Sequence, residues 1–115
     1  MAGARLFVYG TLLDDSCVVR VTGRRFAWRP ARLVGWRRVT PRRGYPYVVA
    51  DAAAHVDGRM LDALDAAAVA ALDRYEDAGR LYHRRRVTAL VDGAPVACDV
   101  YVGDVDALRA AGLAD

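Results

Sequence analysis

The chain has 115 residues, 55% of them hydrophobic and 27% charged, with a formal net charge of +3 at pH 7. This length and composition are typical of one soluble folded domain, and we expect residues 1–115 to form a single domain. Because no apolar segment is long enough for a signal sequence or a membrane span, we expect a cytoplasmic protein with no membrane partner.

The first half of the chain contains four predicted strands joined by short connections. Residues 5–9 form an apolar and aromatic strand that ends at Gly10, and residues 31–40 form a longer strand with a bulge or bend at Gly35. Residues 14–21 can hold one or two helical turns, and residues 41–46 form a loop. Two further strands follow, at residues 47–50 and at residues 55–64, the second of them bent near Gly58.

The second half of the chain contains the main helix and a hairpin. Asp65 is a suitable N-cap for a helix over residues 66–75, in which Val69 and Leu72 share one face. Strands at residues 82–92 and 94–102 are joined by Asp92-Gly93, a dipeptide favoured in tight hairpin turns. Residues 105–113 form a short helix. Since the six strands come in runs and do not alternate with helices, we expect an α+β fold with a mixed, mostly antiparallel, barrel-like sheet.

The cysteines and the arginines indicate no site of their own. Cys17 and Cys98 share no ligand-like spacing with the two histidines, so we expect reduced thiols and no metal site. All 17 basic residues are arginine, in short clusters such as Arg84-Arg85-Arg86. A nucleic-acid-binding protein sets such clusters on one face among stacking aromatics, or on a recognised module. The chain has neither pattern, so we expect solvated, ion-paired arginines and no nucleic-acid partner.

The first candidate for chemistry is Tyr9-Gly10-Thr11-Leu12, at the end of the opening strand. A glycine here lets the backbone turn sharply and lets a ligand approach without a Cβ in the way. Successive backbone N–H groups in such a turn can hold a carboxylate. The alternative is that Gly10 only makes a turn.

The second candidate is Leu72-Asp73-Arg74-Tyr75-Glu76, followed by Tyr82. Glu76 is expected at the C-terminus of the main helix, where unpaired carbonyl groups and apolar surroundings would both raise its pKa. A carboxylate that titrates near neutral pH works well as a general base. The alternative is a surface glutamate paired to Arg80 or Arg84.

Both candidates occur in an order that resembles the γ-glutamylcyclotransferase-like family, which includes the avirulence-induced plant proteins and the γ-glutamylamine cyclotransferases. The resemblance runs from Leu6 to about Val102. The matching segments are Tyr9-Gly10-Thr11-Leu12 (the family's Y-G-S/T-L), Gly44-Tyr45-Pro46, Val56-Asp57-Gly58, Leu72-Asp73-Arg74-Tyr75-Glu76 and Leu81-Tyr82-His83-Arg84.

The resemblance implies a fold, a reaction and a role for each matching residue. The loop Tyr9, Gly10, Thr11 and Leu12 would bind the glutamyl moiety, Tyr82 would lie near the substrate, and Glu76 would be the catalytic general acid and base. The substrate's α-amine would attack its own γ-carbonyl and release 5-oxoproline and an amine, without metal or cofactor. The substrate would be a γ-glutamyl amine, a γ-glutamyl amino acid or a γ-glutamyl-protected metabolite.

Two departures from the family pattern affect the interpretation. Many members have a glycine after the catalytic glutamate, where this chain has Asp77, a second carboxylate that either raises the pKa of Glu76 or points to solvent. Many also have a glycine shortly after Y-G-S/T-L, where this chain continues Leu13-Asp14-Asp15-Ser16. The second departure leaves open the amine-side pocket and with it the identity of the substrate. The alternative function is a non-catalytic small-molecule-binding domain of the same fold.

Overall fold

The computed structural model describes residues 3–115, which form a closed five-stranded barrel flanked by three α-helices. The elements in chain order are β1 (Ala4–Val8), α1 (Asp15–Thr22), β2 (Trp28–Val39), β3 (Tyr47–Leu64), α2 (Ala66–Tyr75), β4 (Tyr82–Val91), β5 (Ala94–Gly103) and α3 (Val105–Ala110). A short 3-10 helix, Thr11–Leu13, lies between β1 and α1. No helix within this part of the chain has the length and apolar character needed to cross a lipid bilayer.

The strands follow the order β1-β3-β2-β4-β5 around the barrel. Four of the five pairings are antiparallel, and β1 closes the barrel by pairing with β5 in parallel, with Leu6 opposite Asp99 and Phe7 opposite Val100. The prediction of an α+β fold with a mostly antiparallel, barrel-like sheet is confirmed.

The prediction of six strands is wrong by one, because residues 47–50 and 55–64 belong to a single strand, β3. Trp36 of β2 pairs with Ala50, and Val34 pairs with His55, so residues 51–54 form a bulge opposite Gly35. Gly35 has a φ of +89°, which confirms the bend predicted there. Pairing on both sides of the bulge keeps the chain extended through a run of alanines that has no alternating pattern.

Gly58 lets β1 and β3 approach each other closely. A Cβ at this position would collide with the carbonyl oxygen of Val8 and lie 2.8 Å from the ring of Phe7. The absence of a side chain therefore permits the pairing of Val8 with Arg59. This pairing fixes the direction in which the chain leaves β1.

The helix and hairpin predictions are confirmed with small changes. The Asp65 side chain accepts a hydrogen bond from the N–H of Ala68 at 2.8 Å and caps α2, while Asp14 caps α1 over the segment where one or two turns were expected. Asp92 and Gly93 have positive φ values of 52° and 78°, as a tight hairpin turn of type I′ requires. The last helix, α3, ends at Ala110 and is therefore three residues shorter than the predicted helix over residues 105–113.

The core has two layers. One fills the barrel and includes Leu33, Val48 and Val100, which are fully buried; the other lies between the barrel and the helices and includes Leu12 and Leu72. Burying a side chain such as Leu72 stabilises the fold by about 1.5–3 kcal/mol. The two free cysteines lie in different layers, Cys17 under the helices and Cys98 inside the barrel. The outer layer holds the C-terminal end of α2 beside the loop that follows β1.

Candidate active site

A pocket of about 230 Å³ opens between the end of β1, the C-terminal end of α2 and the connection that precedes β3. Its walls come from the start, the middle and the end of the chain. The lining residues are Phe7, Val8, Tyr9, Gly10, Thr11, Leu12, Tyr45, Pro46, Tyr75, Glu76, Asp77, Leu81, Tyr82, Tyr101 and Leu113.

Glu76 is the C-cap residue of α2, and its backbone N–H donates to the carbonyl oxygens of Leu72 and Arg74. Its side chain is half-buried in the pocket, and burial raises its pKa from 4.5 to about 7. The alternative of a surface glutamate paired to arginine is wrong, because Arg80 pairs with Asp77 and Arg84 pairs with Asp73 and Asp99. A half-buried carboxylate with no cationic partner in the described part of the chain, residues 3–115, can take up and release a proton near neutral pH.

Four tyrosines surround this carboxylate: Tyr9, Tyr75, Tyr82 and Tyr101. Burial is the largest cause that raises the pKa of each phenol, and the negative charge of Glu76 is a further cause in all four. The pKa of Tyr82 reaches about 12. All four phenols therefore stay protonated at neutral pH and surround Glu76 with neutral, mostly apolar rings.

The loop that faces Glu76 begins at Gly10. Gly10 has a φ of −131°, outside the left-handed region, so the turn does not depend on glycine for that reason. The N–H groups of Leu13 and Asp14 donate back to the carbonyl oxygens of Gly10 and Thr11. The N–H groups of Thr11 and Leu12, at the start of the 3-10 helix, have no intrahelical acceptor and can bind an anion in the pocket.

Three contacts hold this loop in place. The side chain of Leu12 is buried in the outer core layer. The Arg59 guanidinium donates to the carbonyl oxygen of Leu13 at 2.8 Å and lies 3.8 Å from the centroid of the Trp28 ring. The hydroxyl of Thr11 is hydrogen-bonded to the hydroxyl of Tyr75 at 2.9 Å. The loop is thus tied to β2, to β3 and to the last turn of α2.

A charged network holds α2 against the barrel behind the pocket. The Tyr101 hydroxyl donates to Asp73 at 2.7 Å, and Arg84 bridges Asp73 and Asp99 at 2.9 and 3.0 Å. Arg86 donates to the second oxygen of Asp99 at 3.0 Å. Asp73 and Arg84, which belong to the motifs around Glu76, therefore position the helix and do not line the pocket.

Asp77 lies on the pocket rim, but its carboxylate is engaged elsewhere. It accepts a hydrogen bond from Arg80 at 2.6 Å, and its charge is not among the causes of the raised pKa of Glu76. Its φ is 53°, in the left-handed region that glycine adopts without strain and that aspartate tolerates better than most residues. A glycine would therefore suit this position.

The structure places all six residues predicted for the site around this one pocket: Tyr9, Gly10, Thr11, Leu12, Glu76 and Tyr82. Their part in binding and catalysis stays a prediction. Sequence reasoning missed Tyr75, Tyr101 and Leu113 as lining residues. Tyr75 could have been found as the neighbour of Glu76, whereas no local pattern marks Leu113, which reaches the pocket only through the fold.

Comparisons with known proteins bear on the family and the fold of the chain. A family model described as "Gamma-glutamyl cyclotransferase, AIG2-like" matches residues 6–112. No functionally curated protein matches the chain.

Solved structures with the same fold include proteins from Arabidopsis thaliana and Mus musculus. A protein from Arabidopsis thaliana is 24% identical, with a TM-score of 0.79, and the match covers 90% of this chain and 62% of that one. An AIG2-like protein from Mus musculus is 23% identical, with a TM-score of 0.74, over 88% of this chain and 77% of that one. A gamma-glutamyl cyclotransferase is 16% identical, with a TM-score of 0.75, and the match covers 90% of this chain and 67% of that one. The likeness at these identities is one of fold, and the chain spans less than two thirds of the Arabidopsis protein.

Proposed function

The chain belongs to the gamma-glutamyl cyclotransferase, AIG2-like family, and we propose that it is an enzyme that cyclises γ-glutamyl compounds. The substrate is a γ-glutamyl amine, a γ-glutamyl amino acid or a γ-glutamyl-protected metabolite, and the products are 5-oxoproline and the released amine.

The observation that carries the proposal is the burial of the Glu76 carboxylate and its raised pKa. It is half-buried, it has no cationic partner within residues 3–115, and its pKa of about 7 allows both protonation states at neutral pH. The loop from Tyr9 to Leu12 lines the same pocket. A binding protein that only needed to attract the ammonium group of a ligand would be better served by a fully ionised carboxylate.

The reaction requires proton transfers between two nitrogen atoms of the substrate. The α-ammonium group loses a proton to Glu76, the free amine attacks the γ-carbonyl carbon, and a C–N bond forms that closes the lactam ring. The γ-amide C–N bond then breaks as the leaving nitrogen receives a proton from Glu76. Two protons leave the α-nitrogen in total and two reach the released amine, so the sum of charges is unchanged. One carboxylate that titrates near neutral pH can serve both transfers in turn.

The rest of the pocket would orient the substrate. The N–H groups of Thr11 and Leu12 offer donors for the α-carboxylate, and holding that group places the α-nitrogen beside the γ-carbonyl. Orientation of two reacting groups in one molecule can supply several kcal/mol of the barrier reduction, about 7–11 kcal/mol in the most favourable cases. The proposed reaction uses only groups of the chain and of the substrate.

The test is a panel of γ-glutamyl compounds incubated with the purified protein, with 5-oxoproline measured as the product. We expect turnover by the wild-type protein and its loss in Glu76→Gln, which keeps the size of the side chain but cannot carry the proton. Asp77→Asn is the matched control, because it removes the neighbouring carboxylate and should retain turnover. Binding of 5-oxoproline by a protein that turns over no member of the panel would favour the non-catalytic domain instead.

A further inference from the structure

A second, more open groove continues from the pocket on the side of α1. The two cavities share Gly10, Thr11, Tyr45 and Tyr75, and the groove then extends along Leu13, Asp14, Cys17 and Arg20. Glu76 and Tyr82 line only the enclosed pocket. A molecule bound in the pocket can therefore extend past Tyr75 into the groove.

Tyr75 forms the wall between the two cavities. Its hydroxyl is hydrogen-bonded to Thr11 at 2.9 Å and accepts a hydrogen bond from the Cys17 thiol at 3.5 Å, which fixes the ring between the loop and α1. Tyr75 is 40% exposed, and Tyr45, which also lines both cavities, is 61% exposed. Two exposed aromatic rings thus flank the passage from Glu76 into the groove.

Arg20 supplies a positive charge in this groove and forms no ion pair within residues 3–115, although its charge contributes to lowering the pKa of Asp14. Within residues 3–115 its guanidinium donates one hydrogen bond, to the sulfur of Cys17 at 3.5 Å, which is a weak acceptor. The guanidinium is exposed and keeps its other N–H donors for a ligand. The Cys17 contact holds the side chain along the groove.

Asp14, the other charged residue of the groove, is already engaged. Its Oδ1 accepts hydrogen bonds from the N–H of Ser16 at 2.9 Å and from the Ser16 hydroxyl at 2.7 Å, as the N-cap of α1. The groove therefore presents a guanidinium with unused donors beside a carboxylate that caps a helix. Such a surface favours an anionic ligand group, since guanidinium and carboxylate form paired, charge-assisted hydrogen bonds.

We propose that this groove is the subsite for the leaving amine and that Arg20 selects leaving groups that carry a carboxylate. The inference rests on the proposed cyclotransferase activity, because that activity requires the γ-carbonyl to lie beside Glu76. The part of the substrate beyond the γ-nitrogen then has to leave the enclosed pocket. The groove gives it a path past Tyr75 that ends at Arg20.

The test compares two substrates that differ only in one charge: γ-glutamylalanine, whose leaving group carries a carboxylate, and γ-glutamylalaninamide, whose leaving group does not. The quantity is the ratio of their kcat/KM values, with 5-oxoproline as the readout. We expect the wild-type protein to prefer the carboxylate by about tenfold or more, the value of one charge-assisted hydrogen bond. Arg20→Gln should bring the ratio close to one, Arg20→Glu should invert it, and Arg20→Lys should restore part of it.

Arg25→Gln is the control, because Arg25 is an exposed arginine that lines neither cavity and should leave the ratio at the wild-type value. A wild-type ratio near one, or an equal ratio in Arg20→Gln and wild type, would overturn the role of Arg20 while the cyclotransferase activity stands. Absence of turnover with both substrates and with the wider γ-glutamyl panel would instead overturn the activity and the subsite together.

Discussion

The hydroxyl of Tyr9 donates a hydrogen bond to the backbone carbonyl oxygen of Tyr101 at 2.5 Å. The bond joins the residue after β1 to β5 inside the fold, and both residues line the pocket. Because the Tyr9 hydroxyl already donates to this carbonyl, Tyr9 lines the pocket and fixes the start of the loop but has no proton to donate to a ligand. In contrast, no group within residues 3–115 hydrogen-bonds the Tyr82 hydroxyl.

Tyr9→Phe should therefore affect mainly stability, and Tyr82→Phe should affect mainly substrate binding. Removing the Tyr9 hydroxyl leaves a buried carbonyl without its donor and should lower the free energy of unfolding by about 1–3 kcal/mol, with kcat changed only a few-fold. Removing the Tyr82 hydroxyl should leave stability close to the wild-type value and raise KM. Denaturant unfolding beside steady-state kinetics measures both, and a matched loss of activity in the two variants would contradict the distinction.

The raised pKa of Glu76 predicts how stability depends on pH. The folded protein holds the Glu76 proton up to about pH 7, while the unfolded chain releases it near pH 4.5. The native state thus binds more protons in this range, and the free energy of unfolding falls as the pH rises from about 4.5 to about 7, by about 3 kcal/mol.

Glu76→Gln cannot ionise, so its free energy of unfolding should not fall over this pH range. At pH 4 the variant and the wild type should unfold at similar urea concentrations, and at pH 8 the variant should require more urea than the wild type. Urea unfolding of both proteins across this range is the measurement. Parallel curves at every pH would mean that Glu76 is not desolvated in the folded state.

The same pKa predicts the pH dependence of the reaction. The general base must be ionised in the free enzyme, so kcat/KM should rise with pH through an apparent pKa of about 7. Asp77→Asn should leave this apparent pKa unchanged, because the Asp77 carboxylate pairs with Arg80 and does not contribute to the shift. A change of half a unit or more in that variant would bring Asp77 into the mechanism.

Glu76→Asp keeps the charge and withdraws the carboxylate by one methylene group. Since misplacement of a reacting group by about 1 Å can lower the rate about 100-fold, we expect kcat to fall by that order while the folded structure is kept. Single-turnover kinetics with saturating substrate checks this. Wild-type rates in Glu76→Asp would mean that the position of the carboxylate is unimportant.

Gly10→Ala tests whether the loop needs room for a ligand. The φ of −131° is not left-handed, and an added Cβ would lie 3.9 Å from Pro46, an ordinary contact across the pocket. We therefore expect the melting temperature to stay within a few degrees and KM to rise about tenfold because the methyl group occupies ligand space. A lower melting temperature with an unchanged KM would assign the glycine to the turn alone.

The parts of the fold that the sequence predicted well have strong local signals. Asp65 before an alanine-rich run and Asp92-Gly93 between alternating strands each determine their structure within a few residues. The bulge at residues 51–54 has no such signal, since its alanines fit a loop and a strand equally, and only pairing with β2 on both sides keeps them extended.

The candidate site also contains residues that local sequence predicts and residues that only the fold brings in. Glu76 is the only glutamate in the chain, against 13 aspartates, and it follows a helix whose end was predictable. Tyr101 and Leu113 reach the pocket from β5 and from the segment after α3, and their places depend on barrel closure and on packing between distant segments. Local pattern therefore finds the residue proposed for the chemistry and misses more than half of the residues that line the pocket around it.

The parallel pairing of β1 with β5 also links function to the order of folding. The barrel behind the loop after β1 closes only when Leu6 and Phe7 pair with Asp99 and Val100, near the far end of the chain. Contacts between such distant segments form late, because a long loop must first be closed. A nascent chain that has already made Glu76 and its helix still lacks the pocket residues Tyr82, Tyr101 and Leu113. The proposed activity therefore requires the completed barrel, and its appearance during synthesis would report barrel closure.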